Sequence, residues 1–225
     1  METLNSTRIP APRSAARPTA RVIPEVTAYR MKAAFDLALA AVLFTLALPV
    51  MLAAAALVKL TSRGHAIYTQ TRLGRGGVPF TIYKIRTMCN DAESLSGPRW
   101  SMPGDPRITR LGQFLRATHV DELPQLWNVL RGEMSLVGPR PERPEIVAGL
   151  RRRIRGYDRR LAVKPGITGF AQVHLPPDET IESVRQKLVY DLLYVHRQSF
   201  AFDLRLIGCT ALKVLGLRRL YCLAR

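Results

Sequence analysis

The sequence predicts an α+β protein: a membrane segment with a helix-break-helix pattern, followed by a small, mostly helical domain with one short β-hairpin. Three observations carry this. Residues 37–58 run for 22 positions without a charge, interrupted only by Pro49. Two strand-like runs, 66–69 and 80–85, flank the turn Leu73-Gly74-Arg75-Gly76-Gly77, the spacing of a hairpin. The rest of the chain repeats apolar residues every three to four positions, as amphipathic helices do.

In order along the chain, residues 1–28 carry prolines at 10, 12, 18 and 24 and no apolar periodicity, which reads as a disordered basic arm. Residues 29–61 form the membrane segment. A straight helix of 22 residues is about 33 Å long, near the thickness of a bilayer's hydrocarbon. Three readings compete. A cleaved signal peptide would need a short basic leader, but some 36 residues precede the apolar run. A spanning helix is the default. A re-entrant hairpin broken at Pro49 is the third, since proline removes a donor and disturbs the turn before it. Arg30 and Lys32 before the run and Lys59 and Arg63 after it give no orientation by charge.

Residues 62–225 form the remaining domain. After the hairpin, 90–110 is turn-rich. Helical spacing returns at 108–116 and at 121–130, where Asp121 is the expected N-cap and Pro124 falls in the tolerated first turn. Residues 151–164 hold seven positive side chains against Asp158, and 164–169 read as a turn. Helical stretches at 181–197 and 204–217 either lie on a membrane surface or pack on the core.

Composition narrows the function. There are 34 basic and 17 acidic residues, a net charge of +17, so a polyanionic partner is expected: anionic lipid, nucleic acid or a phosphate-rich small molecule. Only six of the basic residues are lysines; arginine forks suit phosphate. Aromatics make up 7%, too few for a base-stacking surface, and no nucleic-acid partner is expected. Cys89, Cys209 and Cys222 form no paired spacing and read as free thiols. His65, His119, His174 and His196 have no ligand-spaced neighbours and read as structural. The adjacent carboxylates Asp121 and Glu122, with Arg116 before them and Arg140 and Arg143 after, are the one constellation suited to phosphorus chemistry. At a helix start the free N–H groups would favour their ionised forms, and an ionised Asp can attack phosphorus or hold Mg²⁺.

Read in order, several segments form a string: Lys32-Ala-Ala-Phe-Asp36, the Pro49-broken run, Tyr83-Lys84-Ile85-Arg86-Thr87-Met88, Asp105-Pro-Arg-Ile-Thr-Arg-Leu-Gly112, Asp121 to Glu142 with its Gly138-Pro-Arg-Pro141, and Val163 to Val173. This string, over roughly 30–217, resembles the bacterial sugar transferase family, the monotopic phosphoglycosyl transferases. The resemblance implies transfer of a sugar-1-phosphate from a UDP-sugar to undecaprenyl (polyprenyl) phosphate with loss of UMP, through a covalent aspartyl intermediate. It implies Mg²⁺ as cofactor, Asp121 as nucleophile, and Glu122 as its acidic partner at the metal. Arg116, Arg140, Lys84 and Arg86 become the substrate-phosphate ligands. It also favours the re-entrant reading of Pro49, with the catalytic domain on the cytoplasmic side of the bacterial inner membrane among anionic lipids, and it leaves a homodimer open.

Two departures stand out. Family members often carry Ser before the membrane proline, where this chain has Leu48, and Asn-Gly-Arg after Ala-Gln-Val, where it has His174-Leu175-Pro176-Pro177. The chain shows none of the extra transmembrane helices of larger members and reads as a minimal catalytic version. Two other classes compete with the enzyme reading: a catalytically silent scaffold, against which the intact Asp121, Glu122 and Arg116 argue, and a membrane-tethered nucleic-acid binder.

Overall fold

A computed structural model describes residues 26–92, 97, 100–102 and 104–217. The basic arm at 1–28 and Cys222 lie outside these residues, apart from the first helical positions. Helix α1 spans Val26–Thr61, 36 residues or about 54 Å. It is the one described helix long and apolar enough to cross a membrane.

Where the sequence suggests a break, α1 runs through Pro49 as one helical segment. Its buried residues explain the continuity. Lys32, Asp36, Ala40, Met51, Ala54 and Val58 keep a single helical register on both sides of the proline, so one face contacts the domain along nearly the whole helix. The opposite face is apolar and exposed, with Leu46 at 69% and Leu60 at 82%. A face of that composition and length has no reason to exist in water.

The hairpin forms as expected, with longer strands. Strand β1 (Ile67–Leu73) pairs antiparallel with β2 (Pro79–Ile85) across the turn Arg75–Gly77. Gly76 and Gly77 sit at φ 68° and 79°, which favours glycine. Helix α2 covers Arg110–Ala117, capped by Thr109 Oγ1 on Gly112 N. The expected helix at 121–130 divides into a 3-10 turn, Val120–Glu122, and α3, Gln125–Leu130, with Pro124 at its N-cap. Asp121 therefore lies inside the turn and caps no helix.

Strand β3 (Ser135–Val137) pairs in parallel with β4 (Gly166–Thr168), a pairing the sequence reading does not anticipate. Helix α4 (Pro144–Arg153) is an element the sequence reading does not anticipate; only its last residues fall in the basic block that begins at Arg151. Short α5 (Phe170–His174) leads into α6 (Ile181–Arg197) and α7 (Phe200–Val214). Both long helices pack on the core, Val184 and Leu188 in one cluster and Leu206 and Cys209 in another. They also present apolar residues outward, Val189 and Phe200 among them.

The start of α1 is tied into the domain by a buried polar network. Lys32 Nζ is 2.6 Å from Asp203 Oδ2 and 3.4 Å from Asp36 Oδ2. Ser135 Oγ donates to Asp36 at 2.6 Å, and the Tyr194 hydroxyl donates to Asp203 Oδ1 at 2.8 Å. At the other end Arg86 donates to the carbonyls of Ser62 and Arg63 and to Ser62 Oγ. Buried charges persist only when satisfied in this way, so both ends of α1 are fixed to the same body.

Candidate active site

The turn Val120–Glu122 is placed by its flanks. Val120 packs on the cluster formed by Ala54, Val58, Ile85 and Leu115. Leu123 packs on the cluster that holds Ala40, with Leu39, Phe44 and Ala47 alongside. The carboxylate pair therefore sits astride α1, seated on residues that precede Pro49 on one side and follow it on the other. His119, at φ 57°, bends the chain into this turn.

The two carboxylates have unlike surroundings. Glu122 Oε1 accepts from Lys84 Nζ at 2.7 Å and from Arg140 Nη2 at 2.5 Å; Oε2 takes Arg140 Nη1 at 3.3 Å. Burial works to raise its pKa, but Arg140 and Lys84 outweigh burial and hold it well below the usual carboxylate range. Asp121 is buried and accepts no hydrogen bond from the described residues. Burial, then repulsion from Glu122, raises its pKa. The ionised form is thus disfavoured, the reverse of the helix-start expectation, because the turn supplies no free N–H groups to it.

The cations divide into two roles. Lys84 and Arg140 join Glu122 directly. Arg116 stands on α2, its Nε donating to Thr87 Oγ1 at 2.8 Å and its Nη1 to Ser101 Oγ at 3.2 Å. Its charge helps to offset Asp121 without touching it. Arg86 is spent on the end of α1 and is not brought to the carboxylates by any contact. Arg143 caps α4 and reaches Glu145 at 3.6 Å.

Sequence reasoning missed the residues that hold Arg140 in place. Arg160, buried and paired with Asp191 at 2.7 Å, donates to the Arg140 carbonyl at 2.8 Å. Arg72 donates to Pro141 O at 3.2 Å and pairs with Glu142 at 2.8 Å. Asn128, fully buried, donates to Thr81 O and Glu133 Oε2 and accepts from Tyr83 N; it fastens α3 to β2, the strand bearing Lys84. A polar residue on the inward face of an apolar helix was the available signal for Asn128. Arg160 had none, since it stands among exposed arginines.

Among the described residues no three metal-ligating side chains cluster. A two-carboxylate site still suits Mg²⁺, which takes one or two carboxylates and completes its shell from water and substrate phosphates. Asp121, which lacks a donor, supplies the open oxygens, and the Glu122 oxygens lie beside it.

The raised pKa of Asp121 has a measurable consequence. Any reaction needing its ionised form should rise with pH through a midpoint above the ordinary aspartate value of about 3.9, in a profile of initial rate against pH at fixed substrate. An acid limb at or below that value would show that Asp121 is not the titrating group.

An unpartnered buried carboxylate thus lies among cations, on a domain that packs along a helix with an exposed apolar face. The chain belongs to the bacterial sugar transferase family, whose model matches residues 27–217. It is 43% identical over 190 residues to a UDP-glucose:undecaprenyl-phosphate glucose-1-phosphate transferase of Caulobacter vibrioides, covering 82% of this chain and 70% of that one. A UDP-N-acetylgalactosamine-undecaprenyl-phosphate N-acetylgalactosaminephosphotransferase of Aeromonas hydrophila is 39% identical over 82% of this chain, which spans 44% of its length. An exopolysaccharide production protein, PSS, of Rhizobium leguminosarum is 38% identical across 82% of this chain and 95% of its own.

Proposed function

We propose that this chain transfers a sugar-1-phosphate from a UDP-sugar to undecaprenyl phosphate with release of UMP, as the first membrane step in assembling an exopolysaccharide, O-antigen, capsule or glycoprotein glycan. The observation that carries the reading is the Asp121 carboxylate, left without a donor while Glu122 beside it is fully committed to Lys84 and Arg140. Asp121 Oδ attacks the phosphorus that bears the sugar; the bond to the bridging oxygen breaks and UMP leaves with that oxygen. A phosphate oxygen of the polyprenyl phosphate then attacks the same phosphorus, and Asp121 departs as a carboxylate.

An anion attacking a diphosphate meets repulsion, and cations fixed in advance lower that barrier. Arg116 and Arg140 face the developing charge from α2 and from the Gly138–Pro141 loop. Lys84 keeps Glu122 ionised and in place. Mg²⁺, held by Asp121 with the substrate's phosphates and by Glu122 once it exchanges a contact to Lys84 or Arg140 for the ion, would supply further neutralising charge.

The membrane geometry that best accounts for α1 is re-entrant. Lys32 and Asp36 near its start and Ser62 and Arg63 at its end are bound to one polar domain. A helix crossing about 30 Å of hydrocarbon leaves its two ends on opposite sides, where one domain cannot hold both. On this reading both ends of α1 lie on the cytoplasmic face of the inner membrane, Pro49, where the ladder is weakened, is the deepest part of the apolar run, and Asp121 sits at headgroup depth.

The test is UMP release from a panel of UDP-sugars by protein in nanodiscs with undecaprenyl phosphate and Mg²⁺. UMP with one sugar identifies the donor. Silence across the panel from folded protein overturns the enzyme reading in favour of a scaffold.

A further inference from the structure

Beside the start of α1 lies a cavity of about 200 Å³, lined by Tyr29, Lys32, Leu37, Gly132, Lys164 and Gln198. Asp36 also borders it, but its carboxylate is engaged by Ser135 and Lys32, and Lys32 is neutralised by Asp36 and Asp203. The Lys164 ammonium makes no hydrogen bond or ion pair among the described residues. At the rim, the Arg75 guanidinium lies over the Tyr29 ring, 4.9 Å from its centroid, so the hairpin turn reaches the start of α1.

The surroundings extend the positive charge. The Arg75–Gly77 turn packs against the segment Tyr157–Ala162 and approaches Arg151. Arg152, Arg155 and Arg159 are exposed nearby in sequence, and Asp158 is committed to Arg151 at 2.6 Å. The other side of the cavity is apolar and continues onto α1, where Met31 is 63% and Leu37 48% exposed. A ligand matching this site has an anionic head and an apolar tail. The cavity lies at the C-terminal end of α3, by Val129 and Gly132, whereas Asp121 precedes the N-terminal end of that helix. It is therefore a site separate from the reacting groups.

We propose that this cavity binds the phosphate headgroup of an anionic glycerophospholipid of the bilayer, with Lys164 and Arg75 as its cations and the exposed face of α1 along its acyl chain. The proposal rests on the membrane placement of α1 given above. Such a lipid would fix the angle at which the domain meets the surface.

The experiment is native mass spectrometry of the full chain released from nanodiscs of phosphatidylcholine and phosphatidylglycerol. Wild type should retain phosphatidylglycerol in preference to phosphatidylcholine. The double variant Lys164→Ala, Arg75→Ala should retain about 30-fold less, at roughly 1 kcal/mol for each cation removed. Lys164→Arg, which keeps the charge, should retain it, and unchanged thermal unfolding of the double variant shows that folding is not at issue. Equal retention by the double variant, or equal retention of phosphatidylcholine by wild type, overturns the proposal. So does one-for-one displacement by added undecaprenyl phosphate, which would make the cavity an acceptor site. Lipid retention is read without turnover, so a failure of UMP release in the same preparation bears on the enzyme reading alone.

Discussion

Asp121→Asn should abolish UMP release and at the same time raise the melting temperature. The two effects have one cause. Asn keeps the shape of the side chain but cannot attack phosphorus, and loss of a covalent nucleophile costs at least about 10⁴-fold in rate. The stability effect follows from the raised pKa of Asp121. A carboxylate whose folded-state pKa lies above its unfolded value imposes no penalty below the unfolded value. The penalty grows as pH rises and is complete above the folded-state value. At neutral pH the wild type carries this penalty to the extent that Asp121 is ionised, and Asn carries none. Thermal unfolding of the two proteins at pH 7 and pH 4 should show the advantage of Asn shrinking in acid. A variant that is inactive and also less stable at neutral pH would mean that Asp121 is held by attractive contacts and is not poised as a nucleophile.

Glu122→Gln should behave in the opposite sense. Glu122 lies well below the usual carboxylate range because of Arg140 and Lys84, so its contribution to stability is present above its unfolded pKa and is lost only as pH falls through the lowered folded value. Removing its charge leaves Lys84 and Arg140 facing each other. The cost is on the order of 2–3 kcal/mol, less than for a fully buried pair because Arg140 is half-exposed. Two adjacent carboxylates thus answer the same kind of substitution with opposite changes in melting temperature.

That opposition was not legible in the sequence: the family resemblance assigns Asp121 and Glu122 different roles, but local pattern predicts ionised forms for both and no opposite response. Their difference depends on Lys84, 38 positions back, and Arg140, 18 positions on, and sequence spacing does not encode which carboxylate such partners will reach. The elements that local pattern does determine were legible. The hairpin follows from strand-like runs about a glycine turn, and Ile181–Arg197 follows from its 3–4 spacing. The parallel pair β3–β4 was missed because its strands are three residues each and 28 residues apart, too short for alternation to register. The family resemblance implies Arg86 as a phosphate ligand beside Lys84. The structure spends it on the carbonyls that end α1, a demand created by tertiary packing.

Gly112→Ala should be strongly damaging, although a methyl group in a helix is normally stabilising. A Cβ at Gly112 would lie 2.0 Å from the Thr87 carbonyl oxygen and 2.7 Å from its carbon. Both are backbone atoms, and Thr109 N donates to that same oxygen at 3.0 Å, so neither side can yield without breaking the contact between α2 and the segment after β2. Overpacking of this kind costs about 3 kcal/mol or more, or ~10 °C in melting temperature for a chain of this size. The functional loss should exceed the stability loss. Arg116 is four residues further along α2 and takes its position from Thr87 Oγ1, so tilting the helix moves the guanidinium from the reacting phosphate, and displacement by about 1 Å can cost about 100-fold. Gly149→Ala is the matched control. It too lies inside a helix, α4, but nothing stands within 4 Å of its added Cβ. It should stabilise by up to about 1 kcal/mol and leave UMP release unchanged. Equal behaviour of the two variants in thermal unfolding and in UMP release would refute the close seating of α2 on Thr87, and with it the placement of Arg116 beside Asp121.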